Sequence, residues 1–210
     1  MKQMLLLDQD GTVYPRSSPL FVRMHEYGRQ WVMDRMGLDE AGVDELYRRL
    51  QDQYPNPLDG FGSIGLTADD YHRNVFDRLE VEALLAPDPR LRPFLGTLGG
   101  PVYVVTMSSP RFSDRVLEHL GVGDILNGRY CFPDPESGSH HKVVVYERLR
   151  LQHGLEPEQV TVVGDNFALD LVDAYAKGYH CVHIGDEVGT RVPTIPNIYA
   201  LPGILARGTW

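Results

Sequence analysis

Cysteine and basic charge are both scarce in this chain. Two cysteines among 210 residues, Cys131 and Cys181, cannot build a disulfide scaffold. Each sits in an apolar, strand-like stretch, where a reduced and buried thiol is expected. Lys and Arg number 20 against 29 Asp and Glu, a formal net charge of −9. A surface of that sign repels nucleic acid and anionic lipid, so neither is an expected partner. An anionic small molecule would have to be attracted locally, by a metal ion or a few placed cations. No run approaches the roughly 20 apolar residues of a membrane-spanning helix. The apolar run Met4–Leu7 is ended by Asp8 too soon for a signal peptide, so a cytoplasmic protein is expected. Repeats and low-complexity tracts are missing as well. What is present suffices for a real core: 42% of residues are apolar and 23% charged. The length fits one large domain, or a core carrying a smaller insert.

The run Met4–Leu7 is continuously apolar, as in a strand covered on both faces, and Asp8-Gln9-Asp10-Gly11-Thr12 follows at once. From about Tyr14 to Pro87 the pattern is helical. Ser18-Pro19 caps a helix carrying Leu20, Met24, Tyr27 and Trp31 and stopped by Gly37; a second carries Val43, Leu46, Tyr47 and Leu50. Tyr54 to Gly65 holds two Pro and three Gly and is expected to be a loop, and Thr67–Asp70 resembles a capping box. From Asp88 onward helices and strands alternate. Strands are expected at 101–107, 129–132, 160–163 and 180–184, the last clear one, with helices following Asp88, Ser109, Lys142 and Asn166. The fold class predicted is α/β: a Rossmann-like parallel sheet core from residues 1–13 and 88–210, with a small helical cap, residues 14–87, inserted after the first strand. In such sheets ligands sit outside the carboxyl ends of the strands. Asp8/Asp10, Thr106/Ser108 and Asp165, remote in sequence, are therefore expected to converge.

Carboxylates at i and i+2 leave one strand end on the same side. One can attack phosphorus while its neighbour protonates the leaving oxygen and then deprotonates water. Gly164-Asp165 with Asp170 forms a second acidic pair, and Mg²⁺ prefers such oxygen ligands. Asp8, the carbonyl of Asp10 and Asp165 are the ligands read from this pattern. Thr106 and Ser108 offer hydroxyl and backbone donors at a helix start, where anions bind. Lys142 can neutralise phosphate charge and orient Asp8. The adjacent His140 and His141 read as surface residues rather than metal ligands.

Together these residues resemble the haloacid dehalogenase superfamily of phosphatases, through Asp8-Gln9-Asp10-Gly11-Thr12, Thr106, Lys142, and Gly164-Asp165 with Asp170, Ala174 and Gly178. The resemblance spans residues 4 to about 186. It implies Asp8 as nucleophile, Asp10 as general acid/base, Thr106 and Lys142 as phosphoryl holders, and Mg²⁺ at Asp8, Asp10, Asp165 and Asp170. Gly11, Thr12 and Ser108 join the expected substrate-binding set. The segments Gly65–His72 and Leu85–Arg92 look like the pyrimidine 5′-nucleotidase branch, so a nucleoside 5′-monophosphate is the expected substrate, with Asn56, Phe61 and Tyr71 as candidate contacts. Gln9, Met107 and Val143 depart from the pattern of that branch. A phosphatase or phosphomutase for a small phosphosugar or pathway intermediate shares every motif. A dehalogenase has no need of an acid at Asp10. A phospho-receiver module is usually shorter and lacks the helical insert, and retention of Asp8, Asp10, Lys142 and Asp165 argues against a degenerate binding fold.

Overall fold

The computed structural model describes residues 3–54, 56–186 and 191–208. Among these, six strands form one sheet: β1 (Met4–Leu7), β2 (Val102–Thr106), β3 (Gly128–Cys131), β4 (Val160–Gly164), β5 (His180–Ile184) and β6 (Thr194–Ile195). Their order is β3-β2-β1-β4-β5-β6, and every neighbouring pair is parallel. This is the expected α/β class. The short edge strand β6 lies beyond the last strand read from sequence, because two residues carry no periodicity.

The period of two along a strand splits the core into two layers. Leu5, Leu7, Val102, Val104, Val163 and Val182 belong to one buried cluster; Met4, Leu6, Tyr103, Val105, Val160 and Val162 belong to the other. Both faces of β1 are thus dry, as its unbroken apolar run requires. Truncating a fully buried leucine there, such as Leu6→Ala, carries the usual core cost of about 2–5 kcal/mol. Leu7 pairs with Val104 on β2 and with Val163 on β4. The three strands therefore end almost level, and the residues that follow them share one rim.

Between β1 and β2 lie α1 (Pro19–Met36), α2 (Glu40–Gln53), α3 (Pro57–Ser63), α4 (Ala68–Asn74), α5 (Val81–Leu84) and α6 (Leu91–Thr97). After β2 come α7 (Pro110–His119), α8 (Lys142–His153), α9 (Val172–Ala176) and α10 (Leu201–Arg207). Helix α1 has the expected Ser18 cap and ends at Gly37 with φ +66°. Helix α3 corrects the loop expected over Tyr54–Gly65. Asn56 Oδ1 accepts from the Leu58 N–H at 2.9 Å, Pro57 occupies the first turn, and Leu58 and Phe61 are buried. Cap and burial outweigh the poor helix propensity of Gly60 and Gly62. The helix expected from Asn166 begins as a π-helical turn, Phe167–Leu171, capped by Asn166 Oδ1 on the Leu169 N–H at 3.2 Å, before α9 proper. Such turns widen a helix locally and are frequent at functional sites; this one carries Asp170. Among the described residues no helix is long and apolar enough to cross a membrane.

Candidate active site

Asp8 follows β1 directly, and its backbone N–H donates to Val163 O at 2.9 Å, extending the sheet by one rung. Its carboxylate is buried and receives Lys142 Nζ at 2.5 Å. The same ammonium reaches Asp170 Oδ1 at 2.6 Å, and Asp170 Oδ2 accepts the Asn166 N–H at 3.0 Å. Lys142 opens α8, so one helix start delivers a buried cation to two carboxylates. Burial pushes the Asp8 carboxyl well above its ordinary range; Lys142 opposes this, and Asp170, Asp165 and Asp10 push it further up. For Lys142 burial works downward, but the charges of Asp170 and Asp8 outweigh it and the ammonium is held well above its usual value.

Asp165 follows β4. It pairs with Arg16 through Nε and Oδ2, and Arg16 Nη2 also donates to its carbonyl oxygen at 2.8 Å. Burial raises the Asp165 carboxyl while Arg16 pulls it down. Two glycines make the close approach possible. A Cβ on Gly11, whose φ is +89°, would lie 1.8 Å from Asp165 Oδ2; one on Gly164 would lie 2.4 Å from Asp170 Oδ2.

Oxygens of Asp8, Asp165 and Asp170 lie within 4.8 Å of one another. All three donors are hard carboxylate oxygens, the chemistry Mg²⁺ takes. Including Asp10, four carboxylates here face two cations, Lys142 and Arg16, a surplus of two negative charges that one divalent ion offsets. The residues therefore fit the metal expected from sequence. The Asp10 carboxylate lies outside the triad, engaged with Tyr14, Gln9 and Ser108; the Asp10 ligand read from the sequence pattern is its backbone carbonyl.

Asp10 Oδ1 accepts from the Tyr14 hydroxyl at 2.6 Å and from Gln9 Nε2 at 3.1 Å. Its Oδ2 accepts from the Ser108 hydroxyl and from Thr106 Oγ1 at 3.3 Å. Thr106 and Ser108 are thus brought to the site as expected, with their hydroxyls turned to Asp10. Gln9, a departure from the usual apolar residue, is fully buried and earns its polarity: Ser113 Oγ donates to its Oε1 at 2.6 Å while its amide holds Asp10. Tyr14 and Gln9 were not singled out as site residues from sequence. The signal available was their polarity beside an apolar strand end.

Three expected substrate contacts are corrected. Phe61 and Tyr71 pack on each other with ring centroids 5.2 Å apart and on Trp31 at 6.2 and 5.5 Å, in the helical insert's own core. Asn56 caps α3, and its Nδ2 donates to His140 O at 2.6 Å. His72 is buried with Nε2 3.2 Å from Met107 O, a satisfied helical histidine.

A family model of haloacid dehalogenase-like hydrolases matches residues 5–171. The chain belongs to that family. Its fold is shared with an HAD phosphatase from Thermococcus onnurineus, at TM-score 0.61 and 19% identity with 98% of each chain covered. The HAD hydrolase YfnB from Bacillus subtilis, described as bound to magnesium, aligns at TM-score 0.62 and 14% identity over 98% of this chain and 99% of that one. L-2-haloacid dehalogenase from Xanthobacter autotrophicus aligns at TM-score 0.56 and 15% identity, again over 98% and 99%. Among curated proteins nothing matches the chain. Solved proteins that share this fold thus include one described as a phosphatase and one described as a dehalogenase.

Proposed function

We propose that this HAD-like hydrolase is a cytoplasmic, Mg²⁺-dependent phosphomonoesterase that works through an aspartyl-phosphate on Asp8. The observation that carries the reading is the separation of two neighbouring carboxylates into different surroundings. Asp8 is held by a lysine in the acidic triad, whereas Asp10 sits among hydroxyl and amide donors outside it. A haloacid reaction has no work for a proton donor at the second position; phosphate ester cleavage does.

Asp8, Asp165 and Asp170 would hold Mg²⁺, which when bound offsets charge between the phosphate and the nucleophile. In the first step an Asp8 oxygen bonds to phosphorus as the bond from phosphorus to the leaving oxygen breaks, and Asp10 gives that oxygen its proton. In the second, Asp10 takes a proton from water as the water oxygen bonds to phosphorus, the acyl phosphate breaks, and inorganic phosphate and Asp8 are released. Tyr14, Gln9 and Ser108 keep the Asp10 carboxyl aimed throughout. Lys142 limits repulsion between Asp8 and the incoming dianion.

The substrate proposed is a nucleoside 5′-monophosphate. Its support is the likeness of Gly65–His72 and Leu85–Arg92 to the nucleotidase branch. The test is phosphate release from a panel of nucleotides and sugar phosphates, with and without Mg²⁺. Activity that persists undiminished in EDTA sinks the metal assignment; a sugar phosphate faster than every nucleotide by more than about tenfold, ~1.4 kcal/mol in transition-state binding, sinks the nucleotidase reading alone.

A further inference from the structure

Asp165 is gripped through its main chain and its side chain together. Its carbonyl oxygen accepts from Arg16 Nη2 at 2.8 Å and from His183 Nε2 at 3.1 Å, the protonated ring nitrogen because a carbonyl only accepts. Its carboxylate is bound at Oδ2 by Arg16 Nε, and among the described residues no hydrogen bond reaches Oδ1. His183 belongs to β5, so that contact ties one strand end to its neighbour. Arg16 comes from elsewhere. It stands in the arm that leads from β1 into α1, two residues before the Ser18 cap.

One guanidinium thus fixes both the backbone and the carboxylate of a residue in the acidic triad. Its donors sit in a rigid planar fork, so two contacts set a rotation that one would leave open. Gly11 makes room for this: a Cβ there would lie 3.0 Å from Arg16 Cγ as well as 1.8 Å from Asp165 Oδ2. The Arg16 side chain is 55% exposed. An ion pair with so open a partner adds little to folding stability, so stability does not account for the placement. The same arm carries Tyr14, whose hydroxyl donates to Asp10 at 2.6 Å. Tyr14 and Arg16, two residues apart, therefore hold the acid/base and the metal corner of the site. The Arg16 guanidinium also lies 6.0 Å from the centre of the Phe21 ring on α1. A cation here has two conceivable roles: competing with a metal ion for Asp165, or holding one oxygen so that the other serves the ion. A competitor has no use for the bond to the carbonyl, and Oδ1 is left without a partner; both favour holding.

We propose that Arg16 is a positioning residue for the metal site: it holds Asp165 by Oδ2 and by its carbonyl, leaves Oδ1 for a divalent ion, and couples binding of that ion to order in the arm that enters the helical insert. The inference rests on the Mg²⁺ reading of the triad and adds to it a residue outside the triad.

The test titrates the full chain with Mg²⁺ by calorimetry, without substrate, for wild type, Arg16→Lys, Arg16→Gln and Arg90→Gln. Arg16→Lys keeps the charge, but an ammonium cannot reproduce the forked grip. It should bind Mg²⁺ about 10–100-fold more weakly, the usual effect of removing a group that orients a metal ligand. Arg16→Gln loses the grip too but also lifts the repulsion between guanidinium and ion, so its loss should be smaller. Arg90 lines the same cleft of about 780 Å³ as Arg16 and Asp165 but bonds Asp88 instead, and Arg90→Gln should match wild type. Hydrogen exchange supplies the second readout. Coupling acts in both directions, so Mg²⁺ should slow amide exchange over residues 14–20 in wild type and not in Arg16→Lys, a difference that a general loss of stability does not produce. If Arg16→Lys binds Mg²⁺ like wild type, the positioning role falls, and a tighter Arg16→Gln then identifies a competitor. An equal loss in Arg90→Gln reduces the effect to the charge of the cleft and overturns the role as well. Exchange over residues 14–20 that ignores Mg²⁺ in wild type overturns the coupling. Wild type that binds no Mg²⁺ removes the metal reading itself, and this inference with it.

Discussion

Replacing Gly11 by Ala separates the backbone's contribution to the site from the side chains'. Two costs are foreseeable. A non-glycine residue at φ +89° is strained by about 1–3 kcal/mol. For a chain of this size each kcal/mol lowers Tm by about 2–4 °C, so strain alone removes roughly 2–12 °C. The second cost is local. The new Cβ would sit 1.8 Å from Asp165 Oδ2 and 2.5 Å from its Cγ, and the carboxyl must move. Displacing a group that positions a metal ligand typically weakens metal binding about 10–100-fold. Gly65→Ala is the control, because Gly65 has φ +80° with nothing within 4 Å of an added Cβ. Both variants should lose thermal stability in EDTA, and only Gly11→Ala should also lose Mg²⁺ affinity by calorimetry and phosphate release at limiting Mg²⁺. If Gly11→Ala binds Mg²⁺ like wild type, the position of Asp165 against this loop does not govern the metal site, and the reasoning fails.

Asp8→Asn should abolish turnover yet hold or raise Tm in EDTA. Because the folded Asp8 pKa is raised, wild type is favoured while Asp8 is protonated and loses that stability as pH climbs through the folded value. The Tm advantage of the variant should therefore widen from acidic to neutral pH, and a gap that narrows refutes the direction. Lys142→Met leaves Asp8 and Asp170 buried without their cation and should cost about 3–5 kcal/mol, or roughly 6–20 °C in melting temperature; an unchanged melt would show that the lysine does not stabilise the carboxylates. Asp10→Asn should slow turnover by ~10²–10⁴-fold, with acyl phosphate detectable after acid quench; normal turnover removes it from proton transfer. Added Mg²⁺ at 100 times its dissociation constant should stabilise wild type by about 2.7 kcal/mol, and Asp165→Asn should blunt the shift.

Five of the six strands and the gathering of Asp8, Asp10, Thr106, Lys142, Asp165 and Asp170 were legible because each depends on a local signal: an apolar run, a cap or a polar residue at a strand end. What lay beyond reach was the commitment of each polar group once the chain had folded. Asn56 and Phe61 have the right chemistry for a ligand, but a helix cap and an aromatic cluster engage them first. Gln9 looked like drift from a pattern and is instead the amide that orients Asp10. Helix α3 was hidden because Pro and Gly advertise a loop, whereas burial of Leu58 and Phe61, a tertiary effect, decides the outcome.

The distribution of apolar contact also says how the helical insert is attached to the sheet. The residues expected to form the cap contribute to more than one buried cluster. Leu20 and Met24 of α1, with Val75, Phe76, Leu79 and Val81, belong to the same buried cluster as Leu7, Val104 and Phe112 of the sheet core. Val32, Val43, Leu46, Leu50, Phe61 and Leu66 form a cluster of their own farther along the insert. The distal part meets the sheet core through two partly buried polar ties, Asn56 to His140 O at 2.6 Å and Asp59 to His140 at 2.8 Å, and through one apolar anchor, Leu58 of α3, which belongs to the buried cluster of Met4, Leu6 and Phe132. Burying a leucine side chain is worth about 1.5–3 kcal/mol, more than the net ~1 kcal/mol of a hydrogen bond, so the anchor should hold α3 to the core more firmly than either tie. Leu58→Ala and Asp59→Ala separate the two: Leu58→Ala should raise amide hydrogen exchange in α3 more than Asp59→Ala does, with β1 protected in both, and the reverse order would show that the polar ties dominate.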